Sequence, residues 1–515
     1  MHVKAPWDMT VNRRILDMEY AVRGPIPQRA AELKRQGRHI IPCNLGNPQA
    51  LGQQPISFYR EVLSLVEHPV RIERERRLKA LFNGGALGGL GGPGEPGGPG
   101  GPGGLGALDG LGGPGGPGGL EHDEFHSDYV LDLSERYLSQ METGMGAYSD
   151  SSGPRFIREA VADFIDRRDG ADDADRGAVP RSDPDQVFIT NGASEGVRYV
   201  IDLLIDDTSD GIMIPIPQYP LYSAAIKRCG GVQVDYFLDE ESGWALDRGL
   251  LESSLEDARG RGVDVKAIVV INPGNPTGAV LTEETVREVV AFAGDNGLAI
   301  IADEVYQENV YGGDAGFVSF ARVLGRSGVP LFSVHSTSKG YYGECGHRGG
   351  YLEIRNAPRV RNTELSFTDL VLKQASVNIC SNTVGQLMMY LLVNPPPENA
   401  EPYRRFTNER RKILEDLHDK AVMIRSGFDQ MEGVSCFGRT GAMYLFPRLD
   451  WLPEGTNDFD YCMALLERTG LVTVNGEGFG QRPGTSHLRI AFLPPREVIE
   501  EVLPKWIAFH NAYVN

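Results

Sequence analysis

Short runs of apolar residues alternate with longer amphipathic segments through the middle of this chain. The runs cover residues 187–190, 211–216, 267–272, 298–303 and 331–335. Continuous apolar runs of this length are typical of parallel strands that are buried on both faces, and the segments between them suit crossover helices. The pattern therefore predicts an α/β fold with a mainly parallel, doubly wound sheet in a large domain.

The ends of the chain have a different pattern. A long charged segment at 404–431 has helical spacing, and two strand-like runs follow at 442–446 and 488–492. These elements predict a smaller α+β domain, and the Pro- and Gly-containing N-terminal stretch is expected to wrap around the main body. The expected organisation is an N-terminal arm with part of the small domain in residues 1–56, the large domain in 57–390 and the C-terminal small domain in 391–515.

Residues 84–120 consist almost wholly of Gly, Pro and Leu. Glycine recurs at every third position over part of this segment, which is the collagen pattern, but most intervening positions are also Gly and lack the stiffness that Pro confers. We therefore expect 84–126 to be a disordered surface insertion within one loop. Such an insertion costs little stability, because loop-closure entropy grows only logarithmically with length.

The chain carries 70 acidic and 51 basic residues, for a net charge of -19. This charge opposes binding to nucleic acid and to anionic membrane surfaces, so small-molecule partners are favoured. No apolar leader or membrane-length apolar run is visible, which predicts a cytoplasmic protein. The six cysteines are widely spaced without a C-x-x-C pair, so neither a metal site nor a disulfide framework is expected.

Polar residues follow the predicted strands, at the end where ligands bind in open α/β sheets. After the run 187–190, Ala193 and Ser194 begin a segment with helical apolar spacing. The unpaired N–H groups of a helix start, together with the Ser194 hydroxyl, can bind a phosphate. A plain turn with a helix cap is the alternative interpretation.

Lys339 directly follows the last predicted strand, in the run Ser-Thr-Ser-Lys-Gly. Its amine can form an imine with a carbonyl group and later move a proton. Ser336, Ser338 and Arg348 lie nearby and offer two hydroxyls and a guanidinium fork for a phosphate. An ordinary surface lysine is the alternative, so the assignment depends on the other site residues.

Asp303, Tyr306 and Asn275 precede Lys339 and lie at or just beyond predicted strand ends. A carboxylate at Asp303 can pair with a pyridine nitrogen, while the tyrosine hydroxyl and the asparagine amide can bind a phenolic oxygen on the same ring. A salt-bridge partner at Asp303 and a plain turn at Asn275 are the alternatives.

Two further residues are candidates for contact with the ligand. Tyr219 is flanked by Pro217 and Pro220 and could stack on a ring face, although a packed turn would have the same sequence. Arg489 lies among apolar residues in the run 488–492, and a buried arginine needs an anion. A substrate carboxylate and a structural carboxylate are both possible partners.

Several segments together resemble the fold-type I aminotransferases that depend on pyridoxal 5'-phosphate (PLP), and most closely the alanine aminotransferase family. The resemblance covers nearly the whole chain outside the insertion. The segments that carry it are 18–25 (MEYAVRGP), 44–58 (NLGNPQALGQQPISF), 146–153 (GAYSDSSG), 215–224 (PIPQYPLYSA), 335–350 (HSTSKGYYGECGHRGG) and 441–447 (GAMYLFP).

The resemblance implies a role for each matched residue. Lys339 is implied as the Schiff-base lysine and Asp303 as the partner of the pyridinium nitrogen. Tyr306 and Asn275 are implied as contacts of the phenolate oxygen, and Tyr219 as the stacking ring. The implied phosphate-binding set is Ala193, Ser194, Ser336, Ser338 and Arg348.

The resemblance also implies substrate contacts and a partner subunit. Arg489 matches the arginine that binds the substrate α-carboxylate, with Asn275 and Tyr219 beside it, and Gly46 lies in a loop that closes over the substrate. Tyr148 matches a tyrosine that reaches the phosphate of the neighbouring subunit, which implies a homodimer with shared sites.

The implied activity is a ping-pong exchange of an amino group between alanine, or a similar neutral amino acid, and 2-oxoglutarate, giving pyruvate and glutamate. Glutamate–glyoxylate or valine–pyruvate aminotransferase activity, and a lyase with the same cofactor, are alternatives. A transcriptional regulator that retains the fold is a further alternative, which the acidic charge and the lack of a basic segment disfavour.

Overall fold

The structure of the protein, a computed structural model, describes residues 12–16, 18, 24–83, 125–142, 144–171, 179–311 and 316–515. Apart from its last two residues, the Gly- and Pro-rich segment 84–126 lies outside the described residues, and the expectation of disorder there stays a prediction.

The helices, in chain order, are α1 (Arg13–Leu16), α2 (Pro25–Arg35), α3 (Ser57–Val66), α4 (Val70–Asn83), α5 (Asp128–Gln140), α6 (Arg155–Asp169), α7 (Ala193–Leu204), α8 (Leu221–Cys229), α9 (Arg248–Gly260), α10 (Glu283–Asn296), α11 (Phe320–Leu324), α12 (Phe367–Val377), α13 (Thr383–Val393), α14 (Tyr403–Phe428), α15 (Asp458–Thr469) and α16 (Arg496–Val514). The strands are β1 (Ile41–Pro42), β2 (Val187–Thr190), β3 (Asp210–Ile216), β4 (Val232–Phe237), β5 (Asp264–Ile271), β6 (Ala299–Asp303), β7 (Leu331–Ser336), β8 (Gly350–Arg355), β9 (Val434–Ser435), β10 (Tyr444–Leu445), β11 (Arg448–Leu449), β12 (Leu471–Val472), β13 (Val474–Asn475) and β14 (Leu488–Ala491).

A seven-stranded sheet forms the centre of the fold, with the strand order β2-β8-β7-β6-β5-β3-β4. Strands β7, β6, β5, β3 and β4 are parallel, whereas β8 is antiparallel to both of its neighbours. The five strands predicted from apolar runs are confirmed as β2, β3, β5, β6 and β7. The prediction of a mainly parallel α/β sheet is also confirmed.

Apolar side chains cover both faces of this sheet. Successive residues of a strand point to opposite faces, and the buried Val269 and Ile301 belong to one apolar cluster, while Ile268 and Ile300 belong to another. Helix α7 contributes to the first cluster and α10 to the second. Burial on both faces explains why these strands have continuous apolar sequences.

The strands outside the central sheet connect the two ends of the chain. Strand β1 pairs in parallel with β12, and β10, β14 and β13 form an antiparallel three-stranded sheet. The Cys43 N–H donates to the Val472 carbonyl at 3.0 Å, and the Ala491 N–H donates to the Cys43 carbonyl at 2.7 Å. These bonds hold the loop after β1 beside β14.

Contacts between Cα atoms group the chain into two compact units. Counting only the described residues, one unit lies within the ranges 1–56, 146–395 and 407–515, and the other within 57–145 and 396–406. In the second unit, α3 and α5 pack together, and Phe58 meets Phe406 edge to face with ring centroids 6.1 Å apart. The predicted division into segments 1–56, 57–390 and 391–515 rests on other criteria than these contacts and stays a prediction.

Candidate active site

A cavity of about 350 Å³ lies at the carboxyl ends of β5, β6 and β7. This is the edge of the sheet where open α/β folds bind ligands. The predicted site residues that line it are Gly46, Ala193, Ser194, Tyr219, Asn275, Asp303, Tyr306, Ser336, Ser338, Lys339, Arg348 and Arg489. Tyr148 does not line the cavity, and 73% of it is exposed.

Lys339 extends into the cavity from the turn that follows β7. Its Nζ donates to the Gly46 carbonyl oxygen at 2.7 Å and lies 5.8 Å from the centroid of the Tyr306 ring. The next residue, Gly340, has a φ of +67°, and its N–H donates to the Asn309 side-chain oxygen at 2.8 Å. The left-handed turn at Gly340 and its hydrogen bond fix the backbone that carries the amine.

Asp303 is the last residue of β6 and is buried. Burial raises the pKa of its carboxyl to about 6. The Tyr222 hydroxyl donates to Oδ2 at 2.8 Å and the Val305 N–H to Oδ1 at 3.3 Å, and both bonds, with the charge of Lys339, oppose that rise. At neutral pH the carboxyl is therefore mostly ionised, and its orientation is fixed by two donors.

Tyr222 has a place in this site that sequence reasoning missed. It is fully buried on α8, and its backbone N–H donates to the Tyr219 carbonyl at 3.2 Å. The three-residue spacing between the two tyrosines was a usable signal, because residues at this spacing share one face of a helical turn.

The start of α7 forms one side of the cavity. Ala193 is its first residue, as predicted, and the preceding Gly192 has a φ of +80° and no side-chain cap. A Cβ at Gly192 would lie 2.5 Å from Arg348 Nη2, so only glycine lets the guanidinium approach the helix start. This arrangement places a positive charge beside the unpaired N–H groups of the helix.

Arg348 and the two serines complete this side. Arg348 has a left-handed backbone with a φ of +57°, and it donates to the Cys345 carbonyl at 3.0 Å and to the Asn191 carbonyl at 2.9 Å. The Ser336 hydroxyl donates to the Ser338 hydroxyl at 2.9 Å. Two hydroxyls, a guanidinium and an uncapped helix start together suit a phosphate group.

Arg489 lines the cavity from β14, with only 2% of its surface exposed. Its Nη1 donates to Asn275 Oδ1 at 3.1 Å and its Nη2 to the Asn44 carbonyl at 2.7 Å, while the buried Nε has no partner among the described residues. The guanidinium carbon lies 4.2 Å from the Tyr444 ring centroid and 4.7 Å from that of Phe479.

In the part of the chain that the structure describes, no carboxylate lies within ion-pair distance of Arg489. The structural-carboxylate alternative therefore has no candidate there.

Tyr444 and Cys345 also line the cavity, and the sequence alone assigned them no role although both lie in segments that resemble the family. The Tyr306 hydroxyl donates to the Tyr444 hydroxyl at 3.4 Å. The Cys345 thiol donates to the Ser338 carbonyl at 3.0 Å. The Tyr306–Tyr444 contact joins segments that are 138 residues apart in the sequence.

A buried ionic network lies behind the cavity. Arg168 of α6 makes two 2.8 Å bonds to the Asp169 carboxylate and one to Gln307 Oε1 at 2.8 Å. Burial raises the pKa of Glu304 to about 7, and burial and the Arg168 charge lower the pKa of His335 to about 3. His335 is therefore neutral, and the network braces residues that directly follow or precede Asp303, Tyr306 and Ser336 in the sequence.

The residues of the cavity fit PLP, the cofactor that the resemblance implies. The uncapped start of α7 and Arg348 suit its phosphate, the buried Asp303 carboxylate suits a pyridinium nitrogen, and the Lys339 amine suits an aldehyde. Among the described residues, no cluster of three or more His, Cys, Asp or Glu side chains is arranged to hold a metal ion. Within the same residues, every helix is too short or too polar to cross a membrane.

Comparisons with known proteins place the chain in a family. The family model for aminotransferase class I and II matches residues 128–505. "Alanine aminotransferase 2" of Panicum miliaceum is 40% identical over 98% of this chain and 97% of its own length. "Glutamate--glyoxylate aminotransferase 1" of Arabidopsis thaliana is 38% identical over 98% of this chain and 96% of its own length.

A solved structure, alanine aminotransferase from Pyrococcus furiosus, matches with a TM-score of 0.71, covers 98% of this chain and 100% of its own, and is 24% identical, which supports the fold. The family predicted by resemblance is thus confirmed: the chain belongs to the class I and II aminotransferases, which are PLP-dependent enzymes.

Proposed function

We propose that this aminotransferase exchanges an amino group between alanine, or a similar neutral amino acid, and 2-oxoglutarate, giving pyruvate and glutamate with ping-pong kinetics. The names of full-length relatives support alanine as the donor, including human "Alanine aminotransferase 1" at 39% identity over 98% of this chain. The observation that carries the proposal is the cavity that places Lys339, Asp303 and Arg489 together.

When bound, PLP supplies an aldehyde that takes up amines and a ring that withdraws electrons from the substrate α-carbon. Asp303 would hold the ring nitrogen in its protonated form, since it is a buried anion with fixed orientation. Ala193, Ser194, Ser336, Ser338 and Arg348 would bind the phosphate.

Asn275 and Tyr306 would hold the phenolic oxygen of the cofactor. Asn275 Oδ1 already accepts a bond from Arg489, so its amide nitrogen is the atom that remains for an acceptor in the cavity. Tyr219 lines the cavity between Pro217 and Pro220, where its ring would stack on the cofactor.

Arg489 would bind the substrate carboxylate, because a buried guanidinium without an acidic partner is best satisfied by an anion. Once its amine is free, Lys339 would act as the base that moves a proton between the substrate α-carbon and the cofactor. Its bond to the Gly46 carbonyl places that loop over the same point, where it would exclude water.

Replacing Lys339 with alanine tests the central role. We expect the variant to lose turnover and the visible absorption of bound PLP, because no other amine lines the cavity among the described residues. Lys420→Ala is a matched control, since Lys420 is a buried lysine that donates to the Leu493 carbonyl at 3.2 Å outside the cavity. Full turnover in the Lys339 variant would end the proposal.

Substrate choice needs a separate test, because glutamate–glyoxylate aminotransferases are nearly as similar, at 38% and 37% identity. We would measure kcat/KM for alanine, valine and glutamate against 2-oxoglutarate, pyruvate and glyoxylate. The proposal expects the alanine and 2-oxoglutarate pair to be fastest; a clear preference for glutamate with glyoxylate would replace it. Turnover without any 2-oxo acid would instead indicate a lyase.

We also propose a homodimer in which Tyr148 reaches the partner's site. Tyr148, Val377 and Ile379 are exposed at 73%, 82% and 47%, and the Ser151 hydroxyl donates to the Ile379 carbonyl at 2.6 Å, which joins their segments. Large apolar side chains exposed together are typical of an interaction surface.

Mixing Tyr148→Phe and Lys339→Ala chains tests the shared site. If Tyr148 acts across the interface, a hybrid dimer contains one intact site, and the mixture is more active than either homodimer alone. If Tyr148 acts within its own chain, both hybrid sites are defective and the mixture is no more active than the Tyr148→Phe homodimer.

A cytoplasmic location stays a prediction for this enzyme. A relative from Arabidopsis thaliana at 40% identity is named as mitochondrial, which is the competing location. Cell fractionation with antibody detection would decide between the two compartments.

A further inference from the structure

Tyr444 connects two parts of the cavity that have different proposed tasks. It lies on β10, is 2% exposed, and lines the cavity. Its ring lies 4.2 Å from the guanidinium carbon of Arg489, and its hydroxyl lies 3.4 Å from the Tyr306 hydroxyl. The Tyr306 and Tyr444 rings meet edge to face, with centroids 6.0 Å apart and an interplanar angle of 79°.

The Tyr444 hydroxyl also meets the loop that covers Lys339. A Cβ at Gly46 would lie 1.9 Å from the Tyr444 hydroxyl oxygen and 3.1 Å from Lys339 Nζ. The absence of a side chain at Gly46 is therefore what lets this hydroxyl, the loop backbone and the amine come together.

The charge around Tyr444 is unusual for a buried tyrosine. Burial raises the pKa of its hydroxyl, but the positive charges of Lys339 and Arg489 and the hydrogen bond from Tyr306 outweigh that effect, so the pKa lies below its ordinary value. The hydroxyl oxygen is thus a favourable contact for the two cations that surround it.

We propose that Tyr444 is a positioning residue that ties the carboxylate-binding Arg489 to the cofactor-binding Tyr306, so that substrate and cofactor meet at one fixed distance. The inference rests on the proposed roles of Arg489 and Tyr306. The Tyr444 ring holds the plane of the guanidinium through a cation–π contact. In the structure the Tyr306 hydroxyl donates to Tyr444. A phenolic oxygen of PLP that accepted the Tyr306 proton would reverse this bond, so that the Tyr444 hydroxyl would donate to the Tyr306 oxygen.

The role of the hydroxyl is tested with Tyr444→Phe, Tyr306→Phe and the double variant. The readouts are the PLP dissociation constant and the pH midpoint of the absorption change of bound PLP. A donor to the phenolic oxygen favours its anionic form, so loss of the donor raises this midpoint. We expect a rise of about half a pH unit in Tyr444→Phe, as for one neutral hydrogen bond, and a larger rise in Tyr306→Phe.

The double variant is decisive. If Tyr444 acts through Tyr306, removing its hydroxyl has no further effect once the Tyr306 hydroxyl is gone. The double variant then has the same midpoint as Tyr306→Phe alone. An additive shift, or no shift in Tyr444→Phe, would overturn the role of the hydroxyl.

The role of the ring is tested with Tyr444→Leu. We expect KM for alanine and for 2-oxoglutarate to rise about tenfold, as for loss of a buried cation–π contact, while Tyr444→Phe leaves both KM values within about twofold. Equal KM values in the leucine and phenylalanine variants would refute this part of the proposal.

Tyr461→Phe is the matched control. Tyr461 is also a buried tyrosine, with hydroxyl contacts to His510 at 2.9 Å and Trp506 at 3.0 Å, but it lies outside the cavity. We expect it to lower thermal stability without moving the midpoint or KM. The parent protein is first titrated with PLP and assayed: failure there refutes the proposed function, whereas a functional parent with an additive cycle refutes only the role of Tyr444.

Discussion

Replacing Tyr222 with phenylalanine is expected to make PLP binding depend on pH in the neutral range. The change removes the O–H that donates to Asp303 Oδ2 at 2.8 Å and leaves only the longer 3.3 Å bond from Val305. A hydrogen bond to a charged group contributes about 1.5 to 3 kcal/mol, which corresponds to about 1 to 2 pKa units. The pKa of Asp303, raised by burial to about 6, would therefore rise to about 7 to 8.

The proposed pairing of Asp303 with the cofactor needs the carboxylate form. At pH 7 the parent site is mostly ionised, whereas a site with a pKa of about 7 to 8 is only about one-half to one-tenth ionised, so PLP affinity at pH 7 should fall about two- to tenfold. The affinity should recover toward the parent value as the pH rises to 9. The assay is a PLP titration of the cofactor-free protein from pH 6 to 9, followed by absorption.

Tyr236→Phe is the matched control for this experiment. Tyr236 is buried on β4 of the same sheet, and its hydroxyl donates to the Val269 carbonyl at 2.7 Å and not to Asp303. We expect the control to lose stability but to keep the parent's pH dependence of PLP binding. A Tyr222 variant whose PLP affinity matches the parent between pH 6 and 8 would refute the reasoning.

Three further predictions follow from single contacts. Asp303→Asn should be inactive. Measured by urea denaturation, its free energy of unfolding should exceed that of the cofactor-free parent by about 3 kcal/mol at pH 8 and nearly equal it at pH 4. The reason is that folding raises the carboxyl pKa from 3.8 to about 6, so burying Asp303 destabilises the parent only where the carboxylate is charged. Gly46→Ala should lose most activity because its Cβ would lie 1.9 Å from the Tyr444 hydroxyl, and kinetics should show partial recovery in a Tyr444→Phe background; equal activity in both backgrounds would contradict the clash. Gly192→Ala should weaken PLP binding about tenfold in a titration. Its Cβ would lie 2.5 Å from Arg348 Nη2 and so push the guanidinium away, and the φ of +80° strains any side chain. An unchanged dissociation constant would show that Arg348 does not bind the phosphate.

The strands that could be predicted from the sequence are those that are buried on both faces and therefore have a continuous apolar run. Strand β4 was missed because it is an edge strand whose burial alternates, so it lacks a continuous apolar run. Strand β8 was missed because a buried Glu353 interrupts it; this carboxylate is paired with Arg355 at 2.8 Å and accepts from Ser182 at 2.6 Å. Local patterns do not reveal partners that the fold supplies from elsewhere.

The same limit explains which residues of the site could be predicted from the sequence. Lys339, Asp303 and Arg348 were visible because their local sequences follow strand ends or match a family pattern, and the structure places them in one cavity. Tyr222 and Tyr444 were missed because their partners, Asp303 and Tyr306, lie 81 and 138 residues away. The contribution of Tyr148 depends on a second subunit and stays a prediction.

The pairing of the first strand with strands near the C-terminus has a consequence for biosynthesis. The bond from Lys339 to Gly46 spans 293 residues, and the bond from Arg489 to Asn44 spans 445. Contacts of such sequence separation form late, because loop closure must precede them. While the last strand is still within the ribosome, a nascent chain already contains its lysine and phosphate donors but lacks Arg489, the proposed substrate-binding residue. We therefore expect cofactor capture to precede the ability to recognise a substrate.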